Sequence, residues 1–142
     1  MDGTPLEGKV ALVTGAGRNI GRAIALALAD AGARVAVNVR ASVDEGRDVV
    51  GQIVARGGSA LLVAADVTQR PEVDAMIAAI AQRFGRLDIV VNNAAIRNEM
   101  PFAALTYADW RAAQAACVDG AFHCIQAALP RATAVDLTAL AR

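Results

Sequence analysis

The sequence predicts an α/β protein built on a doubly wound parallel sheet, and three observations carry that reading. Short apolar runs rich in branched residues alternate with longer segments of helical apolar spacing. Glycines close the helical segments, at Gly32, Gly57-Gly58 and Gly85. The first apolar run is unbroken, as in a strand covered on both faces. Crossovers between parallel strands are right-handed in nearly all proteins, so the strands lie parallel with helices on both faces.

The elements follow in order. Residues 9–14 form the first strand, and a helix runs from 21 to 31 before Gly32. Residues 34–39 are the second strand, 43–56 a helix stopped by the glycine pair, and 60–65 the third strand. Pro71 suits the first turn of the next helix, which ends near Phe84; residues 87–92 are the fourth strand. After a polar loop at 95–100, one alanine-rich helix opens at Tyr107-Ala108-Asp109-Trp110 and reaches about Leu129, where Pro130 discourages continuation. The tail from 132 has weak helical spacing. A sheet in the order 3-2-1-4 leaves the fourth strand, with Ile89, Val90 and Val91, as an open edge that invites association or aggregation.

Composition narrows the function. The 142 residues suit one domain over 1–142, and 56% of them are apolar, which excludes disorder. Thirty-four are alanine and only five aromatic, so the domain is helix-rich and thinly padded. Acids and bases cancel at 14 each, which gives neither nucleic acid nor a membrane surface electrostatic support. No apolar run approaches the roughly 18 residues of a membrane span, and the N-terminus has no signal pattern, so the expected location is the cytoplasm. Cys117 and Cys124 share one helix with Cα atoms about 10 Å apart, too far for a disulfide. Neither cysteine has a zinc-ligand spacing.

The informative chemistry lies in Thr14-Gly15-Ala16-Gly17-Arg18-Asn19-Ile20-Gly21, between the first strand and the first helix. A glycine at a strand end allows a tight turn, and a small backbone lets a pyrophosphate approach the helix N-terminus, whose unpaired N–H groups favour negative charge. Gly15 suits the turn and Gly21 close helix–strand packing; the competing reading is an ordinary Gly-rich turn. Three further elements fall in order: Asp66-Val67 after the third strand, Asn92-Asn93-Ala94-Ala95 closing the fourth, and Asp119-Gly120-Ala121-Phe122 with Ala128-Leu129-Pro130 in the long helix.

Together these resemble the TGxxxGxG, adenine-binding Asp, NNAG and fifth-helix elements of the short-chain dehydrogenase/reductase family, over roughly residues 6–130. Within it the chain is similar to 3-oxoacyl-carrier-protein reductases and related ketone reductases. The resemblance implies a Rossmann fold, incomplete at its C-terminal side, and hydride transfer between a nicotinamide and a small-molecule ketone or secondary alcohol. It implies that Gly15, Arg18, Asn19, Ile20 and Gly21 hold the pyrophosphate side, Asp66 and Val67 the adenine, and Asn93 and Ala94 the adjoining ribose. Asn19 stands where the family usually has its middle glycine, a permitted variant because Asn tolerates left-handed backbone; Ala95 replaces the last NNAG glycine. An acidic residue at the end of the second strand would repel a 2′-phosphate, but Val39 occupies that place, Arg40 follows, and Ser42 and Arg18 are near, so NADP(H) is favoured over NAD(H). Against this, Arg40 has a bland reading as a solvated strand-end charge. The family's long helix packs on its counterpart in a neighbouring subunit, which implies a dimer or tetramer through 109–129.

The family's catalytic Ser and YxxxK have no counterpart, so no catalytic residue is assigned. The only tyrosine, Tyr107, is followed four residues on by Arg111, and the only lysine is Lys9. Tyr107 is expected to pack at a helix start. Cys117 falls where the resemblance puts a catalytic Asn and is expected to be a buried structural cysteine rather than a nucleophile. His123 is expected on the helix surface or core edge rather than as a general base. Residues 134–141 faintly resemble the family's sixth helix, in which case the fifth strand, serine loop and YxxxK have dropped out between about Arg131 and Ala134. The alternative to an NADP(H)-dependent oxidoreductase is therefore a catalytically inactive nucleotide-binding or interaction fragment of that family.

Overall fold

The computed structural model describes residues 4–131; the tail compared above with a sixth helix lies outside them. Four strands, β1 (Val10–Val13), β2 (Arg34–Val39), β3 (Ala60–Ala64) and β4 (Ile89–Val91), form one parallel sheet in the order β3-β2-β1-β4. The helices between them are α1 (Asn19–Asp30), α2 (Val43–Ala55) and α3 (Arg70–Phe84). The switch point of the winding lies between β2 on one side of β1 and β4 on the other, which opens a crevice at the carboxyl ends of the strands.

Alternation along the strands divides the core into two layers. Val10, Leu12 and Ala36 face Val73, Met76, Ile77, Ile80 and Phe84 of α3 together with Cys124 and Ala128. Ala11, Val13, Val35 and Val37 face Ala25, Val49 and Ile53 of α1 and α2. All four β1 residues are fully buried, whereas β4 is only half-buried, as befits an edge. β4 is also shorter than the run 87–92 because Leu87 and Asp88 sit before the ladder begins.

The long helix differs from expectation in one respect. It begins at Tyr107 with a Thr106/Asp109 capping box, but α4 (Tyr107–Gln114) passes through a π-helical turn at Ala115–Asp119 before α5 (Gly120–Ala128). The buried positions Ala116, Gly120, Cys124 and Ala128 recur every four residues and make the seam against the sheet and α3. A Cβ on Gly120 would lie 2.6 Å from Val67 Cγ2, so the wide turn ends where the helix must come closest to its support.

At the opposite end of the sheet, Arg86 donates to both Asp88 carboxylate oxygens at 2.6 and 2.8 Å, and Val10 N–H donates to the same carboxylate at 2.9 Å. The Arg86 guanidinium holds the Asp88 carboxyl below its usual range, helped by the Val10 amide and opposed by partial burial. A depressed folded pKa stabilises the fold fully above the unfolded value near 3.9, and that contribution disappears as pH falls through the folded value. Asp88→Asn is therefore expected to cost about 1–2 kcal/mol at neutral pH. It is also expected to lose stability less steeply than the parent chain below about pH 4. Urea denaturation across a pH series reads both effects.

Candidate cofactor cleft

The turn after β1 is shaped by three side chains that the strand ends bring together. Thr14 is buried; its hydroxyl accepts from the Asn93 and Ala94 N–H groups, each at 3.0 Å. Asn93 in turn donates from Nδ2 to the Thr14 and Gly15 carbonyls, each at 3.1 Å. Asn38, buried in β2, accepts from Gly15 N–H at 3.3 Å and donates to the Val63 and Ala65 carbonyls at 3.2 and 3.1 Å. The turn is thus tied to β4 on one side and to β2 and β3 on the other.

These ties leave no room for bulk. Gly15 has φ +62° in the left-handed region, and a Cβ there would meet Ala94 Cα at 3.0 Å. A Cβ on Gly21 would lie 2.3 Å from the Gly15 carbonyl oxygen and 2.4 Å from Asn93 Nδ2, so α1 can press its first turn onto β1 only without a side chain. Asn19 has φ 50°, the one positive value among the described non-glycine residues, in keeping with the tolerance expected of Asn. Arg18, at the N-cap of α1, makes no side-chain cap, and the first turn carries no acid. The opening N–H groups of α1 therefore face the crevice with positive dipole character and no carboxylate from α1's own first turn.

A cleft of about 590 Å³ lies over this turn. Every residue that the sequence analysis tied to the cofactor lines it: Gly15, Arg18, Asn19, Ile20 and Gly21 from the turn, Arg40 and Ser42 beyond β2, Asp66 and Val67 beyond β3, Asn93 and Ala94 beyond β4. Their situations differ. Ile20 is exposed, and Arg18 and Arg40 are solvated. Asp66 Oδ1 takes the Thr68 N–H and hydroxyl at 2.9 and 2.7 Å, fixing a turn at the cleft wall. Both Asn93 amide hydrogens are committed to carbonyls, so its side chain holds the turn.

Two expectations about reactive side chains are corrected. Tyr107 does begin a helix, but it is 77% exposed rather than packed. It lies outside the cleft lining. Cys117 is exposed rather than buried, because it sits one position past Ala116 and points about 100° away from the buried seam. Cys124 is the buried thiol, and burial pushes its pKa up to about 11. His123 is at the core edge as expected, with Nδ1 3.0 Å from the Val67 carbonyl oxygen. Sequence reasoning missed Asn38 and Glu45. The signal for Asn38 was a lone polar residue inside Arg34–Val39; Glu45, in the first turn of α2, carried no signal in a run of surface charges.

Comparison with known proteins matches residues 9–135 to the family model described as short chain dehydrogenase. A 3-oxoacyl-[acyl-carrier-protein] reductase of Synechocystis sp. is 42% identical over 124 residues, 87% of this chain and 50% of that protein. The fold is similar to a short chain dehydrogenase from Burkholderia cenocepacia J2315 in complex with NADP, with TM-score 0.86, 38% identity, and 90% of this chain against 52% of that one. It is also similar to a dehydrogenase/reductase from Sinorhizobium meliloti 1021, with TM-score 0.87, 34% identity, and 91% against 51% coverage. The chain spans about half the length of the relatives it matches.

Two measurements test the local structure. Asn19→Val should lower stability by about 1–2 kcal/mol, the cost of a left-handed L-residue, while Asn19→Gly should stay within about 0.5 kcal/mol of the parent in denaturant titrations. Mass spectrometry after treatment of the native chain with a maleimide at mild pH should find Cys117 modified and Cys124 intact until denaturant is added, since only the former is exposed and the latter's thiolate is suppressed.

Proposed function

This chain belongs to the short-chain dehydrogenase family, and on that premise we propose that it is the dinucleotide-binding portion of an NADP(H)-dependent oxidoreductase acting on a ketone or secondary alcohol. The observation that carries the proposal is the convergence of the expected cofactor residues on one cleft above an uncapped helix N-terminus. The cleft fits the group: the backbone is bare where a pyrophosphate would approach, and a Cβ at Gly21 would push α1 away from β1.

In this reading the N–H groups of Asn19, Ile20 and Gly21 and the Arg18 side chain take the pyrophosphate. Asp66 and Val67 border the adenine, and Asn93 and Ala94 the adjoining ribose. Arg40 and Ser42, beyond a strand end that holds Val39 instead of an acid, take the 2′-phosphate. A 3-oxoacyl-carrier-protein reductase among the relatives and NADP in the Burkholderia structure support the substrate class and the cofactor. When bound, the nicotinamide supplies or receives the hydride; this chain's share is to hold it in register with the crevice and to exclude water beneath it.

The proton-transfer partners of that reaction have no match here. Among these 142 residues the only tyrosine is Tyr107, exposed and outside the cleft, and the only lysine is Lys9, beside the start of β1. That observation favours the second reading, a nucleotide-binding or interaction fragment without turnover. The apolar residues exposed along the long helix, among them Trp110, Val118, Phe122, Ile125 and Leu129, support self-association through it as a dimer or tetramer. The two free cysteines suit a reducing compartment such as the cytoplasm.

Fluorescence titration of the 142-residue chain with NADPH and NADH tests the proposal. Both should bind, with no ketone-dependent oxidation of NADPH by this chain, and Arg40→Asp should weaken NADPH about tenfold (roughly 1.4 kcal/mol) while changing NADH by less than about threefold. Absence of binding to either nucleotide rejects the cofactor reading, and equal losses reject the role of Arg40.

A further inference from the structure

Resting on that cofactor reading, we infer that Glu45 is a specificity-determining residue which holds down the chain's discrimination between NADP(H) and NAD(H). Glu45 lies in the first turn of α2 and lines the cleft together with Arg18, Arg40 and Ser42. Its carboxylate leans against the Gly-rich turn: a Cβ built on Gly17 would lie 3.3 Å from Glu45 Cβ, 3.5 Å from Glu45 Oε2 and 3.0 Å from Val39 Cγ1. Glu45 Oε2 is also 3.9 Å from Arg18 Nε, the only ion pair the described cleft residues make with one another.

The arrangement places an acid next to the end of β2 after all, from the following helix instead of from the strand. The neighbouring acid does not share the role, since Asp44 pairs with Arg47 at 3.1 Å in solvent and does not line the cleft. Two guanidinium groups attract a 2′-phosphate, and one carboxylate at the same place opposes it. It occupies one of the two, Arg18, and repels the phosphate itself. The same carboxylate accepts a hydrogen bond from a free ribose hydroxyl, which rewards the cofactor lacking the phosphate. The pair is partly exposed, with side-chain accessibilities of 71% and 44%, so the effect is graded by solvent screening and is not all-or-none.

The test is fluorescence titration of the full chain and of Glu45→Gln with NADPH and with NADH at one fixed ionic strength, with Glu45→Ala as a second variant and circular dichroism to verify folding. Glu45→Gln should tighten NADPH about fivefold and leave NADH within about twofold or weaken it, so the affinity ratio moves toward NADPH. Arg18→Gln should then cost more NADPH affinity in the Glu45→Gln background than in the parent, because the guanidinium has been released. An unchanged NADPH-to-NADH ratio in both Glu45 variants, with the parent chain binding normally, overturns this inference and leaves the cofactor reading intact. A parent chain that binds neither nucleotide overturns both.

Discussion

The structure depends on a small set of hydrogen bonds in which buried and half-buried polar side chains finish what the strands begin. Parallel strands end with peptide groups that the ladder no longer satisfies, and those groups are costly if left dry. Thr14 and Asn93 settle them between β1 and β4, and Asn38 does so between the Gly-rich turn, β2 and β3. Among the described residues Thr14 and Asn38 are the only buried polar side chains, and no buried side-chain nitrogen or oxygen is left without a partner. The crevice is rigid because its rim is made of these bonds, and it is open because the residues that make them are turned inward.

From this follows the division of labour around the cleft. Backbone N–H groups at the start of α1 offer a fixed concentration of positive character that needs no side-chain ordering. The solvated charges Arg18, Arg40 and Glu45 lie at the cleft's outer side, where screening makes each contribution modest.

Much of the fold was legible in the sequence because its signals were local. The four strands and the bounding glycines came from apolar runs and breaker residues, and the strand order from the doubly wound fold that the family resemblance implied; the structure shifts the strand ends by only a residue or two. The left-handed Asn19 was legible because few side chains accept that backbone. What could not be read were features set by distant partners. The π turn at Ala115–Asp119 depends on how near Gly120 must come to Val67, seen only when helix and sheet are assembled. Cys117 and Tyr107 were misjudged because residue type alone does not tell which side of a helix meets the core. The bonds from the Asn93 amide to the Thr14 and Gly15 carbonyls were not legible either, because they join segments far apart in the chain.

Asn38 has a consequence for how the molecule comes apart. Its side chain spans from the Gly15 amide to the carbonyls of Val63 and Ala65, so it rivets the Gly-rich turn to the outermost strand across the width of β2. Fraying of β3 from the sheet edge would break the rivet and loosen the turn in the same event. The sheet's outer border and the Gly-rich turn thus share one side chain, and the loss of either set of its bonds leaves a buried amide unpaired.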